Sequence, residues 1–435
     1  MAIGMGARGL GACVIAGMTA AWGWAGGPPA RKLQTPPAPP ALAQIPVGPL
    51  GFLPPNRSWL TYRVPSATLD FIDDTHLLFT FHENALMRRE EQDPDEDEDQ
   101  TISALVLELP EGKIVERVHW RLHDKNRYLW ALGRGRFLER ERDTLYLVNK
   151  TLSTRTPYLK AEGALLLVEL SPDRSQLLVE YQEPARKAEG HAGAGAPQGE
   201  AEGDAEGDAA PKAPPTLGPD APAPRRSHRV RMMIVNTETD KVEKVSTLQS
   251  ALGLTLIEGG YLGIEQSSKN AKQWNALLVP FTGEPKVVTQ LTSSCQPEVH
   301  TLSQRVFAAQ LCIPYTSDHL VQAYDVEGHK LWEQQWESRY VWGNYGYAEN
   351  GSRFAYESIQ LDHAIASLDP VDENSITGQP VGVYDVADGT LRLVEGAEPI
   401  LSAGQNFALS GDGERFAVLR GGSIEVYKLP PAPVQ

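Results

Sequence analysis

The sequence predicts an all-β fold, a seven-bladed β-propeller closed by an N-terminal strand, on three observations. One strand–turn–strand pattern recurs: VGVYDVADGTLRLV from Val381, LVLELPEGKIVERV from Leu105, MIVNTETDKVEKV from Met233, LLVPFTGEPKVVTQ from Leu277 and QAYDVEGHKLWEQQ from Gln322. Each is an alternating apolar run, a polar turn and a second run, which is the signature of a β-hairpin. The copies are unevenly and widely spaced, which favours a ring of blades over a solenoid. Finally, the last unit is one strand short while a strand is left over at the start, and a ring must close or expose two unpaired edges.

The chain in order supports this count. Arg8 ends a short basic region, and residues 9–25 form an uninterrupted apolar run. Residues 1–27 therefore read as a signal peptide, with an uncleaved N-terminal anchor as the alternative, because the run is about the minimum length for a spanning helix. The expected location is secreted or periplasmic, or tethered to a membrane by that segment. Residues 28–57 are rich in Pro and Ala and read as an extended tether. The propeller is expected over residues 58–430.

Its first unit ends near Leu122, and its strand at residues 59–64 is the one expected to pair with residues 424–429 and close the ring. Unit two rests on strands near residues 128–132, 136–142 and 144–149, with a short fourth around Tyr158. Unit three resumes at His228 after a long gap. Unit four covers residues 254–291, with Gly259-Gly260 as its first turn, and unit five covers residues 295–337. Unit six is placed at residues 345–396 and unit seven at residues 406–429.

The pairs Tyr324-Asp325 and Tyr384-Asp385, with the turns SPDR, ENGS and SGDG, resemble the WD-repeat-like propellers of bacterial extracytoplasmic proteins. The likeness covers nearly everything after Ser58. It implies a propeller and no particular activity, because one such scaffold carries many unrelated functions. The Trp-Asp dipeptide of eukaryotic repeats is absent. AYDVEGHKLWE from Ala323 also looks like one repeat of the pyrroloquinoline-quinone dehydrogenases, but it occurs once and no residue here matches their cofactor site.

Charge and motifs narrow the function. A net charge of −16 argues against nucleic acid and against anionic lipid surfaces. No Gly-x-Ser-x-Gly elbow, phosphate loop or Cys-x-x-Cys pair occurs, so no catalytic residue and no cofactor is assigned. His119 and His123 share a strand face but lack a third metal ligand, and no metal site is assigned. The acidic run at residues 90–99 lacks the glycine and spacing of a calcium loop.

Two residue groups remain. Rings are densest from Trp332 to Tyr356, and Trp336, Tyr340, Trp342 and Tyr345 are the candidate ligand contacts, because residues 337–345 read as a connection whose rings face solvent. Long insertions at 87–100, 183–227 and 361–380 all fall between second and third strands, on the same face as the blade-to-blade crossovers. The expected function is an extracytoplasmic binding or assembly module whose insertion-bearing face takes a protein, peptide or glycan. A propeller hydrolase, lyase or quinoprotein with its site at the central channel is the alternative.

Cys295 and Cys312 bracket the first hairpin of unit five. If Ser303-Gln304 forms its turn, opposed positions sum to 607, which places the two cysteines face to face for a disulfide.

Residues 183–227 are Gly-, Ala- and acid-rich and bury too little apolar area to offset their ordering entropy, so this insert is expected to be disordered. Replacing it with a short Gly-Ser loop should leave soluble yield and melting temperature unchanged. Loss of soluble protein would show that the insert packs.

Overall fold

The computed structural model describes residues 36–54, 67–83, 100–122, 127–183, 229–314, 318–337, 340–364, 371–401 and 405–432. Seven antiparallel sheets form a seven-bladed β-propeller. Six blades take their strands in chain order from the axis outwards, and the seventh takes its outermost strand from the start of the chain. The blades span residues 67–122, 129–160, 165–248, 255–292, 298–336, 340–396 and 407–428.

The closing strand is Ala41–Pro46, paired antiparallel with Ser423–Lys428 so that Ile45 opposes Ile424 and Gln44 opposes Glu425. Closure by an N-terminal strand therefore holds, but the strand is not residues 59–64. Those lie outside the described residues, and the free edge of Ser423–Lys428 is already occupied. Within the stretch read as a tether, ALAQI is a proline-free run that buries Ala43 and Ile45 in alternation. Pro46 sits at the end of an edge strand, where a missing N–H costs nothing.

The segment then ties two blades together. Val47 N–H donates to Gly422 O at 3.0 Å. A 3₁₀ turn over Gly48–Leu50 follows, ended by Gly51 in the left-handed region at φ 101°. Phe52 packs edge-on against Phe79 and Phe81 of blade one, with ring centroids 5.5 Å away in each case.

The core is distributed around the ring. One apolar cluster fills each gap between neighbouring blades, for example Leu178, Met232 and Ile234 of blade three against Leu256 of blade four. Trp332 of blade five lies parallel to Phe354 of blade six. Blades six and seven are further latched by Arg353, which is fully buried. Its Nε donates to Asp385 Oδ1 at 2.8 Å, its Nη1 to Gly413 O and its Nη2 to Pro430 O, each at 2.6 Å. Asp385, the acid of the Tyr384-Asp385 pair, also accepts from Arg392 Nε at 2.6 Å. A buried ion pair of this kind costs about 3–5 kcal/mol to break from one side.

Cys295 and Cys312 are joined by a disulfide, with Cα atoms 5.7 Å apart. The register differs from the two-residue turn. Thr301 opposes Phe307 and Glu298 opposes Gln310, so opposed positions sum to 608 and the loop holds three residues. Cys295 therefore lies just before Glu298–Thr301, and the bond ties that approach to the end of Val306–Cys312.

The gaps between second and third strands carry the insertions: residues 83–99 in blade one, 183–229 in blade three and 362–379 in blade six. The third adds a short strand, Ile376–Gly378, paired with the end of Arg353–Leu361. The cores of the first two, including the insert expected to be disordered, lie outside the described residues, as does the segment read as signal or anchor.

Closure makes Ile45 a sensitive position. It is 3% exposed and packs between blades seven and one. Ile45→Ala should cost about 2–5 kcal/mol in urea unfolding. Leu42→Ala, one strand position from the core and 48% exposed, should change stability by less than about 0.5 kcal/mol. Equal effects would disprove closure by this strand.

Candidate functional site

The innermost strands of all seven blades surround a central channel with a cavity of about 390 Å³. Its wall carries Asp70 from Ala67–Asp73, Arg127 just ahead of Leu129–Gly133, Glu169 from Leu165–Leu170 and His300 from Glu298–Thr301. Tyr345 and Tyr347 come from Tyr340–Tyr347, and Gln405 precedes Phe407–Leu409.

Arg127 and Glu169 are open to the channel space although protein surrounds them on all sides. That environment disfavours charge. Burial pushes the Asp70 carboxyl up to about 6 against the pull of Arg174 and Arg127. Burial likewise raises Glu169, opposed by Arg127 and His300, and lowers Arg127, opposed by Asp70 and Glu169. Arg127 also lies over the Trp130 ring at 5.2 Å, and its Nε donates to Leu129 O.

The channel is barred on the face of the short turns. Arg174 Nη1, in the first turn of blade three, donates to Glu349 Oε1 of blade six at 2.7 Å. This pair spans the ring. Glu349 also sits against Gly133 of blade two, where a Cβ would lie 2.6 Å from its Oε2. With φ at +80°, that position suits glycine for both backbone and space.

The four ring candidates separate. Tyr345 lies in the channel, its ring stacked on His300 at 4.8 Å and parallel to Tyr347 at 6.3 Å. Burial holds its hydroxyl well above the usual tyrosine range. Trp336 ends the outermost strand of blade five and packs on Tyr356 at 4.4 Å, which in turn lies 5.1 Å from Tyr345. Trp336 is thus joined to the channel through a chain of rings between blades. Tyr340 and Trp342 lie on Tyr340–Tyr347, with Tyr340 opposite Gln360.

That strand corrects the reading of residues 337–345 as a connection. Tyr340–Tyr347 is the innermost strand of blade six, which begins at Tyr340. Its backbone pairs with Arg353–Leu361, Tyr340 opposite Gln360, Val341 opposite Ile359 and Tyr345 opposite Tyr356. Asp70, Arg127, Glu169, His300 and Gln405 were not singled out from the sequence. Their common signal is a polar residue in, or just ahead of, the first strand of a unit. Among the described residues no group of three His, Cys, Asp or Glu could hold a metal, and His119 instead pairs with Glu83 at 2.9 Å.

A buried polar chain leaves the channel wall through blade six. Asn344 Nδ2 donates to Glu357 Oε2 at 2.6 Å, and Gln379 Nε2 donates to Glu357 Oε1 at 2.7 Å. Gln379 Oε1 accepts from Asn406 Nδ2 at 2.8 Å and from Leu401 N at 3.0 Å. Burial pushes Glu357 up to about 7.

No family model and no curated protein matches this chain. Among solved structures it is similar to the C-terminal WD40 domain of Sif2, at 8% identity and a TM-score of 0.41, covering 90% of this chain and 98% of that one. It is similar to TolB from Acinetobacter baumannii at 10% identity and 0.34, covering 82% and 81%. It is also similar to the acylaminoacyl peptidase of Pyrococcus horikoshii at 11% identity and 0.45, covering 83% of this chain but only 52% of the peptidase. The fold assignment rests on the sheet order of the chain itself.

Glu357 generates a pH dependence. Its folded pKa lies above the ordinary 4.5, so between about 4.5 and about 7 the native state keeps a proton that the unfolded state has released. Stability from this group therefore falls as pH rises through that window. Glu357→Gln should flatten the slope of urea-unfolding free energy between pH 5 and pH 8 by about 1–3 kcal/mol. An unchanged slope would show that Glu357 does not hold the proton.

Proposed function

We propose that this protein is a binding module working outside the cytoplasm, with the crossover face of the central channel as its ligand entrance and a protein or peptide as its partner. The observation that carries the reading is the channel itself: polar and aromatic side chains from several blades converge on a cavity barred at its far end by Arg174 and Glu349. The long gaps between second and third strands of blades one, three and six leave the sheets on that same face.

Two features support the location. The Cys295–Cys312 bond suits an oxidising compartment, and the apolar run at residues 9–25 suits export. No nucleic-acid partner is expected of so acidic a chain.

The test is selection of displayed 12-residue peptides on the full-length protein, followed by fluorescence anisotropy of the enriched sequences. Thr255 lines the cavity, so Thr255→Trp, confirmed as folded by its melting curve, should weaken binding at least about tenfold, equivalent to about 1.4 kcal/mol. Val242→Lys, on the outermost strand of blade three, should have no effect. Undiminished binding to Thr255→Trp would sink the channel as the ligand site.

A further inference from the structure

The chemistry of the channel wall points to one kind of ligand group, an inference that rests on the channel being the binding site. Two carboxylates, Asp70 and Glu169, stand in the wall with Arg127, which acts on both, while Arg174 also acts on Asp70 and His300 on Glu169. The other arginine in the wall, Arg174, is engaged by Glu349 at the barred end. His300 leans towards a third acid, Glu298, with Nε2 at 3.9 Å from Oε2. With Glu298 and Glu349 counted, four carboxylates stand against the two guanidiniums of Arg127 and Arg174 and the imidazole of His300, and an entering anion would add to that excess. The charge of the whole chain, −16, acts in the same direction at longer range.

An independent observation comes from Gln405. Its side chain belongs to the cavity wall and the residue is only 8% exposed, yet neither its Oε1 nor its Nε2 has a hydrogen-bond partner. An unsatisfied buried amide costs about 1–3 kcal/mol, and such a group calls for a partner that arrives from outside the fold. Tyr345 and Tyr347 add parallel ring faces, suited to a cation as it loses water.

The shape limits how that group is carried. The Arg174–Glu349 bridge crosses the ring among the short turns, which suits a side chain inserted from the other face better than a strand threaded through. We propose that the channel receives the ammonium or guanidinium group of a Lys or Arg side chain on an extended segment of a basic partner protein. Asp70 and Glu169 serve as counter-charges, and Gln405 Oε1 accepts a hydrogen bond from the incoming group.

The experiment uses the full-length protein and four fluorescein-labelled peptides, Gly-Ser-Xaa-Ser-Gly with blocked termini, in which Xaa is Lys, Arg, norleucine or Glu. Anisotropy should show the Lys or Arg peptide binding at least about tenfold more tightly than norleucine, with Glu weakest, a difference of about 1.4 kcal/mol. The near-isosteric double variant Asp70→Asn/Glu169→Gln should abolish that preference, and Gln405→Leu should weaken the cationic peptide severalfold. Melting curves of both variants establish that they are folded.

Equal binding of norleucine and Lys, preference for Glu, a preference that survives the double variant, or no cationic binding at 1 mM peptide would each overturn the inference. Thr255→Trp separates the two levels. If it removes binding while norleucine equals Lys, only the cation assignment falls. If cationic binding survives it, the channel is not the site.

Discussion

An antiparallel sheet edge needs a partner, and the rest of this molecule depends on how one such edge is met. Blade seven brings three strands of its own, Phe407–Leu409, Arg415–Arg420 and Ser423–Lys428. Ala41–Pro46 supplies the fourth, so the first described strand is held in the last blade. The same segment then inserts Phe52 into blade one, so it joins the two blades that a linear chain leaves furthest apart. Opening this seam would expose a strand edge and the apolar gap behind it together.

Closure also makes the inter-blade gaps equivalent. Each is filled by large side chains from two neighbouring sheets, so no blade has a complete core alone. The gap between blades six and seven admits a charged group that is well partnered. Arg353 uses Nε, Nη1 and Nη2 on three separate acceptors, and Asp385 has an arginine on each oxygen. Such a latch adds geometric definition more than net stability, since the desolvation of both charges opposes their attraction.

The channel is the counterpart of those dry gaps. Seven innermost strands cannot all approach the axis with large apolar side chains, and the space left there collects Asp70, Arg127, Glu169 and His300. Burial raises both carboxylates, against the pull of Arg174 and Arg127 on Asp70 and of Arg127 and His300 on Glu169. The Arg174–Glu349 bridge makes the two faces unlike, because it crosses the ring among the short turns, while the long gaps between second and third strands leave the sheets on the other face.

Much of the fold was legible from local pattern. The hairpins from Val381, Leu105 and Met233 announced themselves by alternation and turn chemistry, because those signals lie within about 15 residues of one another. The placement of insertions between second and third strands followed from strand counting. The pairing of Cys295 with Cys312 could be read from spacing, although the loop holds three residues rather than two and the register moves by one.

What local pattern could not supply was any choice made at long range. WLTYRV from Trp59 has the stronger β composition, yet ALAQIP from Ala41 meets the edge of Ser423–Lys428, because the site is decided by what Ala43 and Ile45 touch across the ring. Residues 337–345 looked like a connection until the pairing of Tyr340–Tyr347 with Arg353–Leu361 made the stretch from Tyr340 part of an innermost strand. The channel groups come from separate blades, one or two from each, with no shared motif. The sequence by itself determined the hairpins, their number and the positions of the insertions, since these follow from period and turn residues. Only tertiary structure decided which strand closes the ring and which polar side chains meet at its axis, because both depend on residues brought together from far apart in the chain.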